Sequence, residues 1–145
     1  MITAYDVPPS KLINKLAEKI REFKDLEPPN WASFVKTGIH KERIPENNDW
    51  WYYRAASILY QVYIRGPIGT GFLRRKYGGR SKNKPRPEHK VFAGGKIIRT
   101  ILQQLEAAGL VVKTVKGRKI SPRGQSFLDK LAQEIMKEIQ GSRGE

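Results

Sequence analysis

The sequence predicts a mainly α domain built around one central apolar helix, about residues 48–65, with a short β-hairpin at about 110–121. Three observations carry this. The first is the stretch from Asn48 to Gly66, in which Trp50, Trp51, Tyr52, Tyr53, Ala55, Ala56, Ile58, Leu59, Tyr60, Val62, Tyr63 and Ile64 surround only four polar positions. The second is the order of patterns after it: a short helix, an amphipathic helix, a basic hairpin and a closing helix. The third is the segment Leu105 to Gly124 (LEAAGLVVKTVKGRKISPRG), where a helix stops at Gly, an apolar strand follows, a Lys-Gly turn reverses it, and Ser-Pro-x-Gly opens the next helix. Together they describe a winged-helix-like domain, with Lys96 to Ala108 in the recognition position and Lys113 to Lys119 as the wing.

The elements follow in order. Pro8, Pro9 and Ser10 open a helix whose apolar positions Leu12, Ile13, Leu16, Ile20 and Phe23 recur at helical spacing, to about Leu26. Glu27-Pro28-Pro29 breaks it. Asn30 caps a short helix from Trp31 to about Lys36, ended by Gly38, and a polar loop from His40 to Asn47 leads to the central helix. Asn48 or Asp49 caps that helix, and Gly66-Pro67 ends it. Its polar residues Arg54, Ser57, Gln61 and Arg65 fall on one seam at 100° per residue. Two readings of the seam stand: the arginines snorkel out of a packed core, or the seam faces an anionic partner. A span of roughly 17 residues, interrupted by arginines, falls short of the ~20 apolar residues that a membrane span requires.

Thr70 to Tyr77 (TGFLRRKY) reads as a short helix with Phe72, Leu73 and Tyr77 inward and Arg74, Arg75 and Lys76 outward. Arg80 to Pro87 (RSKNKPRP) has no apolar residue to bury, so it is either mobile or ordered on a polyanion. Lys96 to Ala108 buries Ile97, Ile98, Ile101, Leu102 and Leu105. Leu110 to Val115 and Arg118 to Ser121 are strands around a Lys116-Gly117 turn. Phe127, Leu128, Leu131, Ile135 and Ile139 line the last helix, and the tail from Gly141 to Glu145 frays. The organisation is one domain: a helical N-terminal extension over 1–47, a winged-helix-like core over 48–140 and the tail.

Charge narrows the function. The 145 residues carry 28 Lys and Arg against 14 Asp and Glu, a net charge of +14. From Arg65 to Arg99 stand eleven basic residues and one acid, Glu88; the rest of the chain has 17 basic against 13 acidic residues. Focused basicity points to nucleic acid, because each Lys or Arg that neutralises a phosphate releases condensed counterions. The candidate RNA-binding residues are Arg54, Arg65, Arg74, Arg75, Lys76, Arg80, Lys82, Lys84, Arg86, Lys90, Lys96 and Arg99.

Catalysis finds little support. There is no cysteine, and His40 and His89 alone make no metal-ligating cluster, so neither a metal nor a cofactor is expected. No carboxylates pair in an apolar setting. Ser57 and Ser121 have helical-face and capping explanations. Gly66-x-x-Gly69-x-Gly71 follows no strand and is no dinucleotide loop. Met1 to Ser10 holds neither a basic n-region nor an apolar run, and a cytoplasmic protein without membrane association is expected.

Asp49 to Arg65 (DWWYYRAASILYQVYIR), the run Gly66 to Gly71, Lys76-Tyr77-Gly78-Gly79-Arg80, and Ser121-Pro122-x-Gly124-Gln125 resemble the archaeal and eukaryotic small-subunit ribosomal protein family S19e. Pro29-Asn30-Trp31 and His40-Lys41-Glu42 are similar to its amino-terminal part. The likeness runs through almost the whole chain, in order. A short basic tail of eukaryotic members is missing, which suits an archaeal source. The resemblance implies a non-enzymatic constituent of the small-subunit head that contacts rRNA and neighbouring ribosomal proteins, is needed for subunit maturation, and is a monomer when free. It also implies RNA contact or local integrity for Arg54, Arg65 and Arg80. A winged-helix transcriptional regulator on DNA is the alternative. A protein-binding winged helix that uses aromatics such as Trp50 or Tyr60 is a third reading.

Overall fold

The computed structural model describes residues 2–34, 49–77, 79–80, 90–91 and 95–143. Helix α1, Pro9–Ile20, starts with a proline in its first turn and buries Leu12, Leu16, Ala17 and Ile20 along one stripe. It ends six residues earlier than the sequence pattern suggests. Phe23 adopts extended backbone and a single 3-10 turn, Lys24–Leu26, follows. The reason is tertiary: Phe23 meets the Phe127 ring at 5.6 Å and Leu26 is fully buried, which one straight helix would not combine. Asn30–Phe34 forms another 3-10 turn, so Asn30 lies inside the element it was expected to cap. Val35, Lys36, Gly38 and the loop His40 to Asn47 lie outside the described residues, as does Asn48.

Helix α2, Asp49–Arg65, is the central element. Trp51, Ala55, Ala56, Ile58, Leu59 and Val62 have no exposed surface, and Tyr60 and Tyr63 have almost none. It stops where Gly66 turns to φ +75°, a conformation open to glycine without strain. Helix α3, Thr70–Lys76, buries Leu73 and is closed by Tyr77. Two residues, β1 (Gly79–Arg80), then pair antiparallel with β2 (Lys90–Val91), placing Arg80 opposite Lys90. The composition of this stretch predicted no strand. The ladder closes the basic loop at its base.

Helix α4, Gly95–Ala107, buries Ile97, Ile98, Ile101, Leu102 and Leu105 as expected. The hairpin follows as β3 (Val111–Thr114) and β4 (Gly117–Ile120), with Val111 opposite Ile120 and Thr114 opposite Gly117. The turn is therefore Val115-Lys116, one residue earlier than the Lys-Gly pair suggested. Gly117 is drawn into β4 by a third partner: Ile68 exchanges backbone hydrogen bonds of 3.0 and 2.9 Å with Arg118. A Cβ on Gly117, at φ +129°, would sit 2.3 Å from the Ile68 carbonyl oxygen. This single-residue bridge between α2 and α3 completes the winged-helix-like arrangement.

Helix α5, Pro122–Arg143, closes the fold and runs through Gly141, where fraying was expected. The Ser121 hydroxyl donates to the Gly109 carbonyl at 2.6 Å and accepts from the Gly124 N–H at 2.9 Å, so one side chain ties the end of α4 to the start of α5. The Leu110 carbonyl oxygen lies 2.2 Å from where a Gly124 Cβ would be. Buried Asp129 on α5 accepts from the Tyr63 hydroxyl at 2.6 Å and the Ala4 N–H at 3.3 Å, joining the N-terminus, α2 and α5.

Three stability predictions follow from this packing. Leu59→Ala should lower unfolding free energy by ~2–5 kcal/mol, read by denaturant titration. Gly124→Ala favours an unconstrained helix by ~1 kcal/mol; here it should lower the melting temperature, because the Cβ collides with backbone. Burial, then the Asp129 bond, raises the Tyr63 hydroxyl from 10.0 to about 12. The unfolded tyrosine ionises first, so stability is full below pH 10 and declines as pH rises towards about 12. Melting curves against pH should show a shallower alkaline decline in Tyr63→Phe.

Candidate nucleic-acid interface

The polar seam of α2 meets the side chains of Phe72 and Tyr77, while α3 itself packs on α4. At one end the Arg54 guanidinium lies 4.3 Å from the Tyr77 ring centroid, and the Ser57 and Tyr77 hydroxyls share a hydrogen bond. At the other, the Arg65 guanidinium lies 5.2 Å from the Phe72 centroid and its Nε donates to Gln61 Oε1 at 3.2 Å. Each arginine of the seam thus stacks on an aromatic residue of α3 or its cap. The two ends differ in solvent. Arg65 is exposed, whereas Arg54 is largely buried and its Nη1 has no hydrogen-bond partner among the described residues. Burial lowers the proton affinity of Arg54 and raises that of Tyr77, the latter offset in part by Ser57 and Arg54. Of the two arginines expected to snorkel out of the core, Arg65 reaches the surface and Arg54 does not.

Arg65, Phe72, Arg75 and Lys76 line a cleft of about 340 Å³ between the end of α2 and the outer face of α3. Arg74 and Arg99 converge next to it. The position a Gly95 Cβ would occupy is 2.5 Å from Arg99 Nη1 and 3.5 Å from Arg74 Cδ. Glycine at the first residue of α4 lets these two side chains cross the helix end. Arg65, Arg74, Arg75, Lys76 and Arg99 are all exposed. Lys96 is directed elsewhere, with its ammonium 4.5 Å from the Trp31 ring centroid. Arg80 and Lys90 are brought opposite each other by the β1–β2 ladder. Lys82, Lys84, Arg86 and His89 lie outside the described residues.

The wing supplies exposed Lys113, Lys116 and Lys119, and at its tip the fully exposed Val115. Of the aromatics expected to be free for a protein partner, Tyr60 is 8% exposed and Trp50 is half-buried in a stack with Trp51; Tyr5 and Tyr53 are the exposed ones. Phe72, Tyr77 and Gly95 are what sequence reasoning missed as parts of the site. Phe72 and Tyr77 read simply as core, because nothing in the pattern shows that their neighbours are arginines. Among the described residues no group of His, Cys, Asp or Glu could hold a metal ion, and no helix is long and apolar enough to cross a membrane.

Residues 3–138 match the family described as Ribosomal protein S19e. The chain is 51% identical over 148 residues to the small ribosomal subunit protein eS19 of Aeropyrum pernix, covering 100% of this chain and 97% of the relative. It is 44% identical to the protein of the same description from Haloarcula marismortui, over 96% of this chain and 94% of the relative. The Entamoeba histolytica protein of that description is 41% identical, over 92% and 86%.

The desolvated Arg54 gives a counter-intuitive expectation. A buried charge without a carboxylate or full hydrogen bonding is often replaceable by an apolar residue of similar length. Arg54→Met should therefore melt no lower than the natural protein in thermal denaturation. A loss of several kcal/mol would show that the guanidinium is paired.

Proposed function

The chain belongs to the ribosomal protein S19e family, and from that we propose that it is a structural constituent of the small ribosomal subunit, bound to rRNA through the basic face of α3 and the first turn of α4. Proteins of this family are structural and not enzymes, and their place is the ribosome in the cytoplasm. The observation that carries the RNA reading is the convergence of Arg65, Arg75 and Lys76 around one cleft, with Arg74 and Arg99 beside it. Five exposed cations on the three helices α2, α3 and α4 suit phosphate contacts, which position a protein on RNA without reading its sequence. Lys82, Lys84 and Arg86, outside the described residues, are further RNA-binding candidates on charge alone. Arg54 lies beneath this surface, against the Tyr77 ring at the end of α3.

In this reading the chain acts as one domain and is a monomer when free. It sits in the head of the small subunit beside other ribosomal proteins, and assembly of the subunit depends on it. The DNA-regulator alternative is not favoured. Most of the charge precedes α4, the helix that a DNA-binding winged helix would insert in the major groove.

Arg75→Glu/Lys76→Glu tests the surface. Both side chains are exposed, so the melting temperature should stay close to that of the natural protein. Affinity for small-subunit rRNA should fall at least tenfold in filter binding, and the dependence of log affinity on log salt should flatten by about one to two units. In gradient sedimentation of lysate at moderate salt, the natural protein should travel with the small subunit and the variant should trail at the top. A natural protein that sediments free of subunits would overturn the proposal.

A further inference from the structure

The cleft between α2 and α3 has more chemistry than phosphate binding requires. Lys and Arg on an open helix face would suffice for a duplex backbone. Here an aromatic ring, Phe72, forms part of the wall, with the Arg65 guanidinium 5.2 Å from its centroid. Gln61 holds Arg65 through Nε, and among the described residues no group holds its two Nη atoms. Arg75 and Lys76, one turn on from Phe72 along the same face of α3, complete the lining. Among the described residues the lining holds three cations, one ring and no carboxylate.

We propose that this cleft takes a single unpaired ribonucleotide, its base extending the Phe72–Arg65 stack on the outer side of the Arg65 guanidinium and its flanking phosphates on Arg75 and Lys76. This rests on the rRNA reading above and sharpens it, since it names a bulged or looped nucleotide where that reading needs only helical phosphates. Size agrees: at about 340 Å³ the cleft falls at the lower end of small-ligand sites, about 300–1,000 Å³. Chemistry agrees as well. RNA-binding proteins recognise unstacked bases by stacking them on aromatic side chains and Arg planes, and the π-face of any base serves, so the contact tolerates sequence. An acidic peptide would satisfy Arg75 and Lys76 but leave the ring unused. A fully paired helix offers phosphates but no free base face.

The test uses the whole protein and two hairpin RNAs that differ only by one bulged uridine. Anisotropy titrations should show the bulged hairpin bound roughly tenfold more tightly, the lower end of what stacking one base contributes. With 4-thiouridine at the bulge, ultraviolet crosslinks should map by mass spectrometry to the α3 segment. Phe72→Leu keeps an apolar side chain but loses the π-face, and Arg75→Ala removes an exposed cation; each should bring the preference for the bulge close to one. Should Phe72→Leu melt early, the wild-type preference and the crosslink decide the matter alone. Equal affinity for both hairpins, or crosslinks that map away from α3, would overturn the inference while leaving rRNA binding in place. Failure to bind either hairpin or rRNA would instead overturn the functional reading on which it depends.

Discussion

Burial of α2 on nearly every side is the constraint from which the rest of the structure follows. A helix with Trp51, Ala55, Ile58, Leu59 and Val62 fully covered must have partners on several sides. Helix α1 supplies one, α4 and β4 supply others, and α3, packed on α4, sends Phe72 and Tyr77 to the seam the apolar residues leave. Small residues make this possible. Ala55 and Ala56 let neighbouring helices approach the axis, while Trp51 fills space and donates its indole N–H to Gln104 at 2.9 Å. Gln104 passes the connection on, donating to the Glu27 carbonyl at 2.8 Å. A polar relay thus fixes α4 and the turn after α1 to the same buried residue.

The same constraint decides where charge can go. Basic residues concentrated in about one quarter of the chain repel one another and oppose compaction. The fold answers by placing them at ends: the end of α2, the last turn of α3 and the first turn of α4. Cations in the last turn of α3 also complement the helix dipole, so Arg74, Arg75 and Lys76 are favourable where they stand. Arginines near the core are laid on aromatic rings, where attraction by the ring face partly replaces lost hydration. Charge that is unfavourable in the free protein is what an RNA would neutralise, and any ligand that binds only the folded state stabilises it by mass action.

Much of this was legible in the residues, because burial imposes periodicity. The span of α2, the apolar stripes of α4 and α5 and the hairpin all follow from spacing and from Gly, Pro and Ser at the boundaries. What escaped depended on distant partners. No local signal shows that Phe23 leaves its helix to meet Phe127, or that Ile68 alone bridges to Arg118. The β1–β2 ladder joins residues across a stretch with no apolar side chain, so no pattern announces it. In the candidate site the cations were visible but their arrangement was not. Sequence supplies the inventory of charge; only packing decides that Arg65, Arg75 and Lys76 share a cleft while Lys96 turns to Trp31.

Gly95, Gly117 and Gly124 show how these levels connect. Each is needed because another group occupies the space of its missing Cβ: Arg99 at Gly95, the Ile68 carbonyl at Gly117 and the Leu110 carbonyl at Gly124. At Gly117 and Gly124 the neighbour is backbone, which cannot move aside, so these glycines maintain the fold. At Gly95 the nearest atom is the end of a flexible side chain, which can swing away. Stability is therefore nearly indifferent to Gly95, and its consequence is positional: it lets Arg99 lie across the helix start within reach of Arg74. Two glycines hold the scaffold and one shapes the charge presented on it. That division parallels the one between Arg54 and Arg65, whose fates differ by burial alone.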